Sequence, residues 1–307
     1  MTDRSLNDSH LPVFFIDTDR ASLDAQKLTL SLNRARLLGS IVAAASGAMT
    51  WLIGETVDVW GIVALLGFLC ALTCEVWILI DDPESRWYSN RALAESTKTL
   101  AWRFAVAGNP FPSGLDLKEA KALLLERVGD LAVSTGFSPA ASAGKTCADE
   151  MVELRLASFE ERREAYVEGR LRQQQTWYSS KAEFNRKRAR NWRFGLIAFE
   201  FVGIVCASGQ AFSVWSFDWA GVIAAIVGGG VAWLGLKQHS NLATAYAVAS
   251  TELSISAEQL SDAPEDEWSE LVGDAEEAIS REHTLWLASR SASLRLATAR
   301  PPSRPAA

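Results

Sequence analysis

Four long apolar runs interrupt an otherwise polar chain of 307 residues. They extend from Leu37 to Ile53, from Trp60 to Ile80, from Phe194 to Trp215 and from Trp219 to Leu236. As helices, runs of 17 to 22 residues match a bilayer core of about 30 Å. A buried helix of a soluble protein can imitate one such run, but not four arranged as two close pairs. The pattern therefore predicts an all-α integral membrane protein in which four transmembrane helices form two hairpins.

The charges around the runs predict their orientation. The connectors within the pairs, residues 54–59 and 216–218, contain carboxylates but no Lys or Arg, whereas the outer flanks are basic. Because Lys and Arg accumulate on the cytoplasmic side, both termini and the long middle segment are expected in the cytoplasm. We therefore predict a multi-pass protein of the cell inner (plasma) membrane. Tryptophans near the hairpin tips fit an outer aromatic belt: Trp51, Trp60, Trp215 and Trp219.

The two halves of the chain resemble each other. Each has a basic helix with an Arg-Ala-Arg motif, at 34–36 and 188–190, then a hairpin and a further helical segment. Such a parallel duplication, here with an offset of roughly 155 residues, suggests pseudo-symmetric pairing of two hairpins. The stretch GFSPAASAG is flexible in composition and marks the boundary. The sequence thus predicts a first unit at 1–135, a linker at 136–144, a second unit at 145–295 and a disordered tail at 296–307.

Helical patterns also occupy the polar segments. The stretch NPFPSG breaks the chain at 109–114, and Asp116 is placed to cap a helix that we expect to end near Gly129. From Phe159 a helical pattern continues into the third run. These patterns predict long cytoplasmic helical extensions at 86–108, 159–192 and 237–290.

The helix before the third run contains a short heptad pattern: Leu171, Tyr178, Asn185 and Trp192. A charged helix of this length usually needs a partner, which makes self-association into a homo-oligomer one interpretation. The other is a stalk packed on its own neighbours.

One carboxylate lies inside each hairpin. Glu75 is five residues before the end of the second run, and Glu200 is six residues after the start of the third. Both are therefore about 8–9 Å into their helices from the same side. Each begins a stripe of small residues, where membrane helices approach one another closely. The stripes include Gly67 and Ala71 above Glu75, and Gly203 and Ala207 above Glu200.

An ionisable group at that depth is costly and indicates function. In an oligomer, Glu75 and Glu200 could line a pore as acidic rings that favour cations. The alternative is structural: each carboxylate reaches the interface, or stays protonated and forms a hydrogen bond across helices.

Other features point away from an enzyme. His10, His239 and His283 are scattered without a partner serine, cysteine or metal-ligand spacing, and there is no glycine-rich phosphate loop. Cys70 and Cys74 do not make a credible metal site within a membrane helix. We predict no catalytic residue, no cofactor, no metal and no nucleic-acid partner.

Membrane lipid is an expected partner. A basic cluster precedes the third run and could hold anionic lipid head groups, or serve only as the topological anchor. Its candidate residues are Lys187, Arg188 and Arg190.

The segment 152–193 resembles the helix that leads into the membrane hairpin of the SLATT family. The resemblance rests on a core of five residues: Gln174, Trp177, Tyr178, Lys181 and Asn185. The stretch RWYSNRALAESTKTLAWRFAVAGNPF, at 86–111, is similar to the segment that follows the hairpin in the same family. SLATT denotes two-transmembrane effector domains associated with SMODS nucleotidyltransferases and SLOG nucleotide-sensing proteins. The chain resembles two tandem units of this kind.

The resemblance implies a role in bacterial conflict and antiviral defence. It implies that the membrane hairpins form a pore that kills or arrests an infected cell when a nucleotide-sensing or nucleotidyltransferase partner responds. The five signature residues would then lie on the helix that gates the pore. Two alternatives remain open: a non-conducting membrane scaffold that recruits cytoplasmic partners, and a small transporter subunit that uses Glu75 or Glu200 as a cation or proton site.

Overall fold

The computed structural model describes residues 6–53, 56–134 and 144–280, and the described chain is almost entirely helical. The predicted all-α class is confirmed. Most of the predicted linker at 136–144, and all of the predicted tail at 296–307, lie outside the described residues. In chain order, after a 3₁₀ turn at Asp8–His10, the elements are α1 (Val13–Gly47), β1 (Leu52–Ile53), β2 (Val57–Asp58), α2 (Val59–Asp81), α3 (Pro83–Ala105), α4 (Leu117–Ser134), α5 (Asp149–Leu156), α6 (Phe159–Tyr166), a π-helical turn (Val167–Arg172), α7 (Gln173–Ala211), α8 (Trp219–Lys237), α9 (His239–Ser261) and α10 (265–280).

Three helices within the described residues are long and apolar enough to cross a membrane. They are α2, the continuous helix Phe159–Ala211 and the helical segment Trp219–Ser261. Only 11% of the apolar stretch of α2 is buried within the chain. The apolar stretches of the other two helices are not buried at all. Apolar surface of this extent needs a cover of lipid or protein.

The first apolar run is only partly helical. Helix α1 ends at Gly47, six residues before the run does. The following residues form β1, which pairs antiparallel with β2 and places Leu52 opposite Asp58. The Asp58 carboxylate accepts hydrogen bonds from the backbone N–H groups of Trp51 and Trp60, both at 3.1 Å, so it closes the turn and caps α2. The helix predicted to reach Ile53 therefore ends at Gly47, and a short β-hairpin of β1 and β2 follows it.

Helix α4 is longer than predicted. Asp116 accepts a hydrogen bond from the backbone N–H of Lys118 at 3.0 Å, as expected of a cap, but the helix continues to Ser134. The prediction that it ends near Gly129 was wrong. A glycine inside a helix costs only about 1 kcal/mol relative to alanine, and the burial of one apolar face outweighs that cost. The buried residues of this face are Ala120, Leu124 and Val128.

The chain forms two compact units that do not follow its sequence halves. The membrane unit, Leu23–Trp87 with Ser179–Ala247, contains all four apolar runs. The polar unit, Met1–Ser22 with Tyr88–Tyr178 and Val248–Ala307, contains α4 to α6, the π-helical turn and the described part of α10. Each unit takes segments from both halves. The two repeats follow one another in the sequence, but each compact unit combines segments of both.

Aromatic rings form the centre of the polar unit. Tyr166 makes edge-to-face contacts with Trp102 and Trp268 at centroid distances of 6.0 and 5.8 Å, and Phe159 contacts Trp268 at 5.5 Å. The indole N–H of Trp268 donates to the carbonyl oxygen of Val106 at 2.7 Å. This bond satisfies the polar end of a buried ring, as buried tryptophans require.

Small residues bring the helices of the membrane unit together. A Cβ on Gly39 would lie 2.7 Å from the carbonyl oxygen of Gly67, and a Cβ on Gly67 equally close to that of Gly39. Helices α1 and α2 therefore touch through their backbones. A Cβ on Gly229 would lie 2.6 Å from Ile41, so α8 packs on α1 as well.

Candidate functional site

The Glu75 carboxylate lies next to the crossing of α1 and α2. Gly67 is buried against Gly39 there, and Ala71 is half-buried one turn before the carboxylate. Glu75 forms an ion pair with Arg36 of α1. In a low-dielectric surrounding, such a pair is favoured because each charge would be costly alone. The first hairpin therefore neutralises its own carboxylate.

Glu200 has a different environment. Its side chain is exposed on α7, and it forms no hydrogen bond or ion pair with any residue that the structure describes. A Cβ on Gly203 would lie 3.2 Å from Ile223 of α8, whereas Ala207 is exposed. The stripe that begins at Glu200 therefore contacts α8 only in part, and its charged residue lies on the surface of this chain.

The five signature residues divide between the inside and the outside of the chain. Tyr178 and Asn185 are buried, Gln174 is half-buried, and Trp177 and Lys181 are exposed. Asn185 is held by two hydrogen bonds, one between its Oδ1 and the Nδ1 of His239 at 2.7 Å and one from its Nδ2 to the backbone carbonyl of Lys181 at 2.8 Å.

Most heptad positions of this helix are used within the chain. Leu171, Tyr178 and Asn185 are buried against the chain's own residues, and Trp192 is half-buried. These contacts fit the interpretation of a stalk packed on its own neighbours.

The residues of the predicted basic cluster have different partners. Lys187 forms an ion pair with Glu183 at 3.3 Å, and the Arg188 guanidinium lies over the ring of Phe184 at 5.3 Å. Arg190 is exposed.

A buried ionic cluster, which the sequence interpretation missed, lies in the polar unit and consists of Thr99, Tyr166, Arg170 and Glu276. Glu276 is 0% and Arg170 2% exposed. The Nε and Nη2 of Arg170 each donate to a carboxylate oxygen of Glu276 at 2.9 Å. The hydroxyls of Thr99 and Tyr166 donate to the same carboxylate at 2.9 and 3.1 Å. Four donated hydrogen bonds thus satisfy one fully buried acid.

The local backbone places Arg170 in this cluster. It lies in the π-helical turn Val167–Arg172, where the backbone is wound more widely than in the α-helices on either side. Turns of this kind are rare in proteins overall. Those that occur are often found at functional sites.

A second buried arginine fixes the loop between α3 and α4. Arg155 donates from Nη1 to the carbonyl oxygens of Phe104 and Phe111 at 3.0 and 2.9 Å, and from Nη2 to those of Pro112 and Leu115 at 3.0 and 3.3 Å. Burial, and then the charge of a neighbouring arginine, lower the pKa of Arg155 below its usual range. One side chain thus satisfies one backbone acceptor at the end of α3 and three in the loop that follows it.

The comparisons with known families match both halves of the chain. The family model described as "SMODS and SLOG-associating 2TM effector domain 3" matches residues 12–163, and the model for effector domain 1 matches residues 166–286. The chain belongs to the SLATT family. It contains two tandem SLATT domains, as the resemblance implied. No curated protein and no solved structure matches it.

SLATT effector domains are membrane-associated and are linked to conflict and defence systems. The apolar helices and the family membership together make this chain a membrane protein. Within the described residues, no group of three His, Cys, Asp or Glu side chains could hold a metal ion.

The buried ionic cluster joins the two SLATT domains. Thr99 belongs to the first domain, whereas Tyr166, Arg170 and Glu276 belong to the second. Burial and the nearby negative charge of Glu276 raise the pKa of Tyr166 well above its usual range. Burial alone would lower the pKa of Arg170, but the Glu276 carboxylate more than offsets this and raises it. The tyrosine therefore stays neutral and the arginine stays charged at physiological pH.

One signal in the sequence could have revealed Glu276. It occupies the apolar stripe of α10, eight residues after Trp268, four after Val272 and three before Ile279, all of which are buried. A carboxylate on the buried face of a helix requires a cationic partner. The sequence does not tell which of its many arginines that partner is.

Proposed function

We propose that this SLATT protein is a membrane pore-forming effector of a bacterial defence system, assembled from several copies and opened by a nucleotide-sensing partner. The family descriptions support the effector role and name the class of associated protein. The observation that carries the pore is the exposed carboxylate of Glu200 in α7. The proposed role is not enzymatic.

The position of Glu200 favours water over lipid. A carboxylate about 9 Å inside an apolar span costs several kcal/mol when it faces lipid. The chain provides no cation beside Glu200 within its described residues. If α7 lines a water-filled path between copies, the charge remains hydrated. A ring of such carboxylates would then favour cations.

Glu75 has a different proposed role. Its ion pair with Arg36 lies between two helices of the same hairpin and beside their closest contact. We expect this pair to hold the first hairpin together rather than to line the pathway. The proposal therefore assigns ion selectivity to Glu200 alone.

The gating signal has a direct covalent route. Helices α7 and α9 each begin in one compact unit and end in the other, and both belong to the second SLATT domain. A partner that binds the polar unit could therefore displace the spans through these two helices. Gln174, Trp177, Tyr178, Lys181 and Asn185 all lie on α7, in the part before its apolar run.

Ion flux across vesicle membranes tests the pore. The full chain, Glu200→Gln and Glu75→Gln are reconstituted separately, and the relative permeability to potassium and chloride is measured with and without the associated SMODS or SLOG protein. We expect the wild-type chain to prefer cations and Glu200→Gln to lose that preference. Glu75→Gln should keep it, measured on the fraction of that variant that folds. Unchanged selectivity in Glu200→Gln would refute the role of this carboxylate. Absence of flux under both conditions would refute the pore.

A non-conducting scaffold is the second candidate. The polar unit exposes apolar side chains on α9, at Val248 and Ile255 seven positions apart, which a helical partner could cover. Substitution of Glu200 would leave such recruitment intact, whereas Val248→Asp with Ile255→Asp would abolish it. A pull-down of the associated protein with each variant separates the two functions.

A further inference from the structure

Two cations share one tryptophan in the membrane unit. The Arg34 guanidinium of α1 lies 5.1 Å from the ring centroid of Trp233 in α8, and the Lys237 ammonium lies 5.4 Å from the same ring. Arg34 belongs to the first SLATT domain and Lys237 to the second. The packing of α8 on α1 thus brings together two charges that are far apart in the sequence.

Arg188 of α7 lies close to Lys237. Nδ1 of His239, two residues after Lys237, contacts Oδ1 of Asn185 at 2.7 Å, and Arg188 follows Asn185 by one turn of α7. After burial, the positive charges of Lys237 and Arg188 both lower the pKa of His239. We call Arg34, Arg188 and Lys237, with the Trp233 ring, the Trp233 cluster.

The Trp233 cluster lacks an anion. Among the residues that the structure describes, none of its three cations forms an ion pair with a carboxylate, whereas the nearby Arg36 and Lys187 are paired with Glu75 and Glu183. Arg34 and Lys237 at one indole, with Arg188 nearby, repel one another. The helix C-terminus at Lys237 offsets this repulsion only in part. An added anion would be attracted by all three.

The position of the cluster identifies the anion. Arg34 precedes the first apolar run by three residues, Arg188 precedes the third by six, and Lys237 directly follows the fourth. All three therefore lie at the same end of the spans, where phospholipid head groups meet the hydrocarbon. Tryptophan is typical of this interface because its ring is apolar and its N–H is polar.

We propose that Arg34, Arg188 and Lys237 bind the phosphate of an anionic phospholipid head group, with the Trp233 ring positioning two of the three cations. Basic pockets between membrane helices bind head groups of this kind. The chemistry recognised is a phosphate group, which a soluble phosphate also carries. The site requires no pore, so it stands whether or not the protein conducts ions.

Native mass spectrometry of the full chain in neutral detergent tests this site. The probes are phosphatidylglycerol and cardiolipin, with phosphatidylcholine as the zwitterionic reference. We expect Arg34→Gln with Lys237→Gln to weaken binding of the anionic lipids by roughly 30-fold, since each basic side chain near an anionic surface contributes a factor of about five. The matched control, Lys27→Gln with Arg186→Gln, removes the same charge from two exposed positions of the membrane unit where each cation already has a carboxylate partner, Asp24 and Glu183. It should change binding less than about twofold.

Three further results decide the interpretation. If both double variants weaken the binding of anionic lipid equally, the effect is a general electrostatic attraction, and the specific site is overturned. Arg34→Lys with Lys237→Arg keeps both charges and should retain anionic lipid. Millimolar inorganic phosphate should not displace the lipid; if it does, the assignment to a lipid is overturned. Should the double variant fail to fold by circular dichroism, the single Arg34→Gln, at an exposed position, is expected to weaken binding about fivefold.

Discussion

The buried ionic cluster gives the sharpest quantitative prediction. In Glu276→Gln, the Arg170 guanidinium stays charged and buried but loses its counter-ion, and Thr99 and Tyr166 lose a charged acceptor. Removing one partner of a buried ion pair typically costs 3–5 kcal/mol, roughly. Because Glu276 is wholly and Arg170 almost wholly inaccessible, solvent screening does not reduce this cost. We expect the polar unit to lose about 3–5 kcal/mol of stability.

Hydrogen exchange measured by mass spectrometry can localise the loss. The free energy of opening is read from backbone amides of α3, the π-helical turn and the described part of α10. A cost of about 3–5 kcal/mol corresponds to exchange roughly 150- to 5,000-fold faster. Glu277→Gln is the matched control, since it removes the same charge from the next residue, whose side chain is exposed. We expect that control to stay within about 0.5 kcal/mol of the wild type.

Two outcomes would refute this reasoning. Equal protection in Glu276→Gln and Glu277→Gln would mean that the buried pair contributes no stability. The double variant Arg170→Met with Glu276→Met removes both charges, and we expect it to recover part of the loss. The recovery is partial because Thr99 and Tyr166 still lack their acceptor. A double variant less stable than either single variant would contradict an ion pair as the source of the effect.

Three further perturbations test other parts of the structure. Gly39→Ala should destabilise the membrane unit by about 1–3 kcal/mol in thermal unfolding, because its Cβ would meet the backbone of Gly67. Gly235→Ala, with open space around it, is the control and should be neutral or stabilising by up to about 1 kcal/mol. Because the folded-state pKa of Tyr166 exceeds its unfolded value of about 10, the stability it contributes is present below that pH and is lost as the pH rises above it. Tyr166→Phe should therefore lose less stability than the wild type between pH 8 and 11, and an equal loss would contradict this. Arg155→Met should cost about 2–4 kcal/mol, measured by the same unfolding assay, because four carbonyls lose their donor.

Most of the helical framework can be predicted from the sequence because hydropathy marks the apolar runs. Helices α2 and α8 begin and end within one residue of their runs. The hairpin at β1 and β2 could not be predicted in this way, since apolar composition does not distinguish a strand from the end of a helix. Gly129 is a stop signal by propensity, but packing of α4 overrides a propensity of about 1 kcal/mol.

The place of each candidate carboxylate in its apolar run could be read from the sequence, but its partner could not. Glu75 and Glu200 lie five and six residues from the ends of their runs. These positions do not fix which helix lies opposite. Arg36 is 39 positions from Glu75, and Arg170 is 106 positions from Glu276, so both pairs depend on the tertiary fold. A single sequence contains no record of such pairing.

The offset of the duplicated Arg-Ala-Arg motif shows that the two carboxylates are not at equivalent positions of the two repeats. Arg34 and Arg188 are equivalent positions, 154 residues apart, and both belong to the Trp233 cluster. The same offset places Gly229 at the position of Glu75, and there α8 packs closely on Ile41 of α1.

The same offset of 154 residues places the buried Ser46 at the position of Glu200. Ser46 lies one residue before α1 ends, whereas α7 continues beyond Glu200 to Ala211. The first repeat therefore uses its carboxylate to pair with its own arginine, and the second places its carboxylate at the surface. If copies assemble around a path, we expect the second hairpin to line it and the first to hold the bundle. A double variant tests this division. Adding Ser46→Glu to Glu200→Gln should not restore cation preference, and a full restoration would show that the repeats are interchangeable.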